Sequence, residues 1–141
     1  MHKVDTDPEG HLAALSPDVQ PTMRELDRMI TEAFAGRGRR LWVGKFWGGT
    51  DQTIIGYGDL TQPRPRGPAV EWFAVGLARQ SRTYSVYVNA VADGAYLLAS
   101  YADRLGRVKV GSVSISFTEL DHLDLAVLGE VLAQAATLTA E

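Results

Sequence analysis

Apolar residues recur at two different spacings along this chain, and the change between them marks out its elements. Between 21 and 34, Met23, Leu26, Met29, Ile30, Ala33 and Phe34 return every three or four positions, which gathers them on one side of a helix. Gly36 ends that helix, since glycine tolerates the left-handed conformation of a C-terminal cap, and the arginines beyond it face the negative end of the helix dipole. From 39 to 117 the period shortens to two, with β-branched and aromatic residues between Gly, Pro and Asp breaks. This alternation predicts strands near 40–46, 52–58, 70–79, 83–91 and 109–117. Pro63, Pro65, Gly67 and Pro68 make 60–69 an exposed loop, and Gln80-Ser81-Arg82 reads as a hairpin turn. Tyr96, Leu97, Ala99, Ser100, Tyr101 and Arg104 suit a short helix over 95–105, closed by Gly106. For the last helix Asp121 is the expected N-cap, with Leu120 and Leu125 as a hydrophobic staple. Its apolar stripe is Leu125, Leu128, Val131, Leu132 and Ala135.

The resulting order is α-β-β-β-β-α-β-α. It describes a single α+β domain over 19–141, with a mainly antiparallel five-stranded sheet and helices packed mostly on one face. Residues 1–18 carry Asp5, Asp7, Pro8, Glu9, Gly10 and Pro17 with little periodicity and read as a loose or partly docked arm. Alternation then sorts the strand residues onto two faces. Phe73, Val75, Leu77, Tyr84, Val86, Val88, Val113, Ile115 and Phe117 form the face beneath the helices. Trp72, Ala74, Gly76, Ser85, Tyr87, Asn89, Ser112, Ser114 and Ser116 form the other. Aromatic walls with a few hydrogen-bonding groups are how many ligand sites are built. Trp72, Tyr87, Asn89, Ser112 and Ser114 are therefore the candidate ligand-binding residues, with Trp42 and Trp47 near the first strand as further walls. The plain alternative is an ordinary solvated sheet face.

With 141 residues, 45% hydrophobic and 22% charged, the chain has the make-up of one globular domain, which buries roughly 70% of its unfolded surface. No apolar run approaches the roughly 18 residues of a membrane span, and the first thirty residues lack a signal-peptide pattern. A cytoplasmic protein without a membrane partner is the expectation. The lack of cysteine excludes disulfides, thiolate catalysis, Cys-ligated zinc and iron–sulfur clusters. Net charge is −3, but Lys and Arg stand 3 against 7 Asp and Glu over 1–35, 11 against 5 over 36–116, and 0 against 5 over 117–141. A basic middle between acidic ends suits either an anionic partner or neutralisation inside the molecule.

Few chemical motifs emerge. Gly36-Arg37-Gly38-Arg39-Arg40-Leu41 lacks the third glycine of a dinucleotide fingerprint and follows a helix where a strand is required. There is no Walker A segment, His-Glu-x-x-His pair, Gly-x-Ser-x-Gly elbow or EF-hand loop. His122 lies beside Asp121 and Asp124, a set that can hold a metal, but those aspartates suit helix capping better. Glu71 has no obvious carboxylate partner for acid/base work. Arg37, Arg39, Arg40, Arg64 and Arg66 are of the type that contacts phosphates, yet a pI near 5.6 argues against nucleic acid as the partner.

The segment Leu41-Trp42-Val43-Gly44-Lys45-Phe46-Trp47 leading to Ile54-Ile55-Gly56-Tyr57-Gly58 resembles the YdhG-like family, small bacterial domains of unassigned activity. So does the closing Val113-Ser114-Ile115-Ser116-Phe117 followed by Leu120-Asp121-His122-Leu123-Asp124-Leu125. The resemblance covers roughly 20–137 and implies a compact α+β fold. Some members are described as frataxin-like iron chaperones, so iron is the one cofactor it implies, and none is otherwise expected. Such a role needs an exposed carboxylate ridge, whereas Glu25, Asp27 and Glu32 alternate here with Arg24 and Arg28. The reading is a small-molecule or protein-partner binding module rather than an enzyme, as a monomer or homodimer. Iron handling, or an enzyme using carboxylate or tyrosine chemistry, are the alternatives.

Overall fold

The computed structural model of the protein describes residues 1–45, 51–62 and 65–140. Within them the chain runs β1 (His2–Val4), α1 (Pro8–Ala13), α2 (Gln20–Ala33), β2 (Arg39–Lys45), β3 (Asp51–Gln62), β4 (Val70–Gln80) and β5 (Thr83–Val88). A two-stranded ribbon of β6 (Val91–Ala92) and β7 (Ala95–Tyr96) follows, then β8 (Lys109–Val110), β9 (Ser114–Phe117) and α3 (Leu125–Leu138). Seven strands form one sheet in the order β1-β2-β3-β4-β5-β9-β8, every neighbouring pair antiparallel. None of the helices among the described residues is long and apolar enough to cross a membrane.

The α+β class and the helix-on-one-face arrangement agree with the alternation of the sequence, while the strand count and element order do not. The sheet gains β1 because His2, Lys3 and Val4 pair with Val43, Trp42 and Leu41, so the arm is docked rather than loose, the second of the two expected states. It continues into α1, where the Asp7 carboxylate accepts the Glu9 N–H, Pro8 opens the helix and Leu12 is fully buried. The expected strand 109–117 is a hairpin instead: Gly111 N–H donates to the Ser114 carbonyl, closing a turn that folds β8 back on β9. The expected helix over 95–105 is replaced by the β6–β7 ribbon and a single 3₁₀ turn over Leu97–Ser100. Asp93 and Gly94, both at positive φ, make the tight reversal that a helix there would forbid.

The final helix starts three residues later than the Asp121 cap implies. Leu120–His122 is a 3₁₀ turn, and it is the Asp124 carboxylate that accepts an N–H, from Val127 at 3.1 Å. Leu123 before this cap and Leu128 in the first turn both enter the buried core, replacing the expected Leu120–Leu125 pair.

The main core lies between the sheet and the helices. Met23, Leu26 and Ile30 of α2 and Leu128, Val131 and Leu132 of α3 pack over Leu41, Ile55, Leu77, Val86 and Ile115, which occupy matched positions across five strands. Arg37 ties the layers together, donating to the carbonyls of Ala136 and Thr139 and to Thr139 Oγ1 at the end of α3.

One face assignment is reversed. Phe73, expected under the helices, lies on the opposite face, while Ala74, expected on the opposite face, joins Val75 in the main core. Alternation therefore breaks between Phe73 and Val75. The partner strand has Gly58 at φ 71° at this level, a conformation that side chains resist, and the Asn89 amide donates to the Phe73 carbonyl at 2.8 Å. The turn in β4 is held from both sides.

Candidate functional site

No helical residue belongs to the second buried cluster, which sits on the face turned away from the helices. Its members are Trp42 on β2, Ile54 on β3, Phe73 and Ala78 on β4 and Tyr87 on β5, with Met1 and Trp72 packed against them. Two paired glycines make room for it. Gly56 and Gly76 are direct neighbours on β3 and β4, and a Cβ on Gly76 would stand 2.5 Å from the Phe73 ring, one on Gly56 2.6 Å from Trp42. The absent side chains leave a trough that the Phe73 and Trp42 rings fill. Trp72 stacks on Phe73 at 4.5 Å and meets Trp42 edge-on at 5.3 Å, forming a continuous aromatic ledge.

Beside the ledge runs a polar ladder across four strands. Gln80 Nε2 donates to Gln52 Oε1 at 3.0 Å and to the Tyr87 hydroxyl at 2.7 Å, Ser85 Oγ donates to Gln80 Oε1 at 2.8 Å, and the Ser85 and Ser116 hydroxyls lie 3.4 Å apart. Side chains tied to one another in this way keep fixed positions, so the face is stiff as well as chemically mixed.

The structure brings Trp42, Trp72 and Tyr87 together, and Ser114 joins them as the cross-strand partner of Tyr87. Asn89 follows directly on β5, but it is buried and its amide is engaged with the Phe73 carbonyl, a structural duty. Ser112 falls in the exposed turn between β8 and β9 and does not stand with the others. Trp47 lies outside the described residues, as does Arg64. Trp42 and Tyr87 are only 4% and 6% exposed, so they are the floor of the face; Trp72, half-buried, is its accessible ring. The nearby carboxylates are ion-paired rather than poised for acid/base work, Glu71 with Lys3 at 3.3 Å and Asp59 with Arg40 at 3.5 Å. Stacking and hydrogen bonding are what this face offers.

No family model, curated protein or solved structure matches the chain.

On the helix side, a second constellation escaped the sequence reading. Asp27 Oδ1 accepts hydrogen bonds from the Tyr57 hydroxyl and from Arg39 Nη1, each at 2.7 Å. Burial, and then the neighbouring Asp27 charge, push the Tyr57 phenol well above its ordinary value. Arg39 and Tyr57 are cross-strand partners, a register that periodicity alone does not reveal. The available signal was the acidic Asp27 at helical spacing among apolar neighbours on α2. Arg37, Arg39 and Arg40, considered for phosphate contacts, are all engaged within the fold, on α3, Asp27 and Asp59. On the outer side of α2, Arg28 bridges Glu25 and Glu32, and this pairing holds the Glu25 carboxyl below the usual range. Among the described residues, no three His, Asp or Glu side chains converge as a metal site requires. His122 contacts Glu119 at 3.4 Å rather than gathering Asp121 and Asp124 around it.

Proposed function

We propose that this chain is a non-catalytic binding module that docks a protein partner against the open face of its sheet. The observation that carries this reading is the aromatic ledge with its polar ladder on the face that receives no helix. An ordinary solvated face has no need of two tryptophans and a phenylalanine packed over paired glycines. The walls of the ledge are too deeply buried to enclose a small molecule, so a flat partner suits it better. Tryptophan and tyrosine beside adaptable serine and glutamine groups are the residues that anchor protein interfaces. A cysteine-free composition and the resemblance to small YdhG-like domains support a cytoplasmic protein of this type. Iron handling is the weaker reading, because Arg28 neutralises the Glu25 and Glu32 carboxylates it would use.

The test is affinity capture from cell extract with the wild-type chain, Trp72→Ala, Ser116→Arg, and the helix-face control Arg28→Ala. Partners held by the wild type and the control are expected to disappear with both open-face variants, and a purified partner to bind Trp72→Ala about 30-fold more weakly, the loss typical of an interface anchor. Identical captured sets from all four proteins, with folding confirmed by circular dichroism, would overturn the proposal.

A further inference from the structure

A cavity of about 440 Å³ opens on the helix side of the sheet, separate from the aromatic ledge. Its walls are Phe34 and Ala35 at the end of α2, Gly36 and Gly38 in the connection to β2, Arg39, and Tyr57 on β3. That volume is roughly three times the ~150 Å³ that suffices for benzene, and lies within the ordinary range for small-molecule sites. The glycines contribute bare backbone: a Cβ on Gly36 or Gly38 would meet nothing within 4 Å, and both have positive φ, so this wall stays flat and open. Arg39 is the charged group of the lining; the hydroxyls of Thr31, which also lines it, and of Tyr57 both donate to Asp27 Oδ1. Among the described residues only Nη1 of Arg39 has a protein acceptor, Asp27 Oδ1, which fixes the guanidinium and leaves its other N–H groups for a guest.

Electrostatics decides what kind of guest. The Arg39 charge is already matched by Asp27, and the Arg37 guanidinium, which lies over the Phe34 ring at 4.9 Å, is spent on the carbonyls at the end of α3. The last turn of α2 carries no basic residue of its own, so its free carbonyls add negative potential at the cavity mouth. With these charges already matched, an ion of either sign would shed its water there without gaining a free counter-charge. From this geometry we infer that the cavity binds an uncharged molecule of one or two rings that accepts a hydrogen bond from Arg39.

The probe is benzamide, titrated into ¹⁵N-labelled protein, with benzoate as the charged counterpart. Benzamide is expected to give saturable shifts of the Ala35, Gly36, Gly38 and Tyr57 amide signals, and benzoate to bind about fivefold more weakly, in line with the free energy a helix end exerts on a neighbouring charge. Ala35→Trp, which fills the cavity from an exposed position, is expected to abolish the response. Arg39→Lys, which keeps the charge beside Asp27 but withdraws the guanidinium fork, is expected to weaken it several-fold. The inference fails if benzamide produces no saturable shift, if the response survives Ala35→Trp, or if benzoate binds as well as benzamide.

Discussion

Asp27 shows how one side chain can set the behaviour of two others. It is largely buried, and it accepts from both a phenol and a guanidinium that are themselves side by side on neighbouring strands. Tyr57→Phe keeps the packing and removes one donor, so it should cost about 1.5 kcal/mol, the lower end for a hydrogen bond to a charged group, measurable as a shift in urea midpoint without a change in slope. The pH dependence follows from the raised Tyr57 pKa. The unfolded chain releases this proton near the ordinary value of 10.0, whereas the folded chain retains it. Its contribution is therefore complete below that pH and declines as pH rises beyond it. Urea midpoints collected from about pH 8 to pH 11 should fall more steeply for the wild type than for Tyr57→Phe above pH 10. Equal slopes in that range would show that the phenol ionises as it does in water.

At the scale of elements, the open face depends on what two strands omit. Gly76→Val would drive a branched side chain into the Phe73 ring and the Ile54 methyl, and should destabilise the fold by about 3 kcal/mol while displacing the near-ultraviolet tryptophan signal. At the other end of the chain, Asp124→Ala removes the cap of α3 and should cost about 1 kcal/mol, while Asp121→Ala should cost little; a reversal of that order would restore the cap position first expected from sequence. These elements also show what a sequence can disclose. Leu77, Val86 and Ile115 were readable as buried because alternation holds in their stretches of strand. Phe73 and Ala74 were not, because their sides are set by the break at Gly58 and by the Asn89 bond, neither of which leaves a periodic trace. His2–Val4 is too short to show a period, and Tyr96, Leu97, Ser100, Tyr101 and Arg104 imitate helical spacing while forming a ribbon and a 3₁₀ turn. For the site, Trp42, Trp72 and Tyr87 were legible as aromatics of one face, whereas the Gln52–Gln80–Ser85 ladder required the register of three strands.

Taken whole, the molecule is two-sided, with helices over one surface of the sheet and a stiff aromatic and hydroxyl surface on the other. Its two borders are short: β1 has three residues and β8 has two, which limits pairing with the sheet of another molecule. Removing residues 1–4 would uncover the longer β2, and the shortened chain should associate in a concentration-dependent manner by sedimentation where the full chain does not; unchanged sedimentation would show that β1 does not guard this border. Met1 has a further place in the design, since its backbone lies against Gly44 and its side chain rests on the tryptophan cluster. Any polypeptide joined ahead of Met1 thus emerges beside the very surface proposed to receive a partner. An affinity handle or fluorescent label fused there would crowd the doorway, so fusions meant to leave it clear should be attached behind α3 instead.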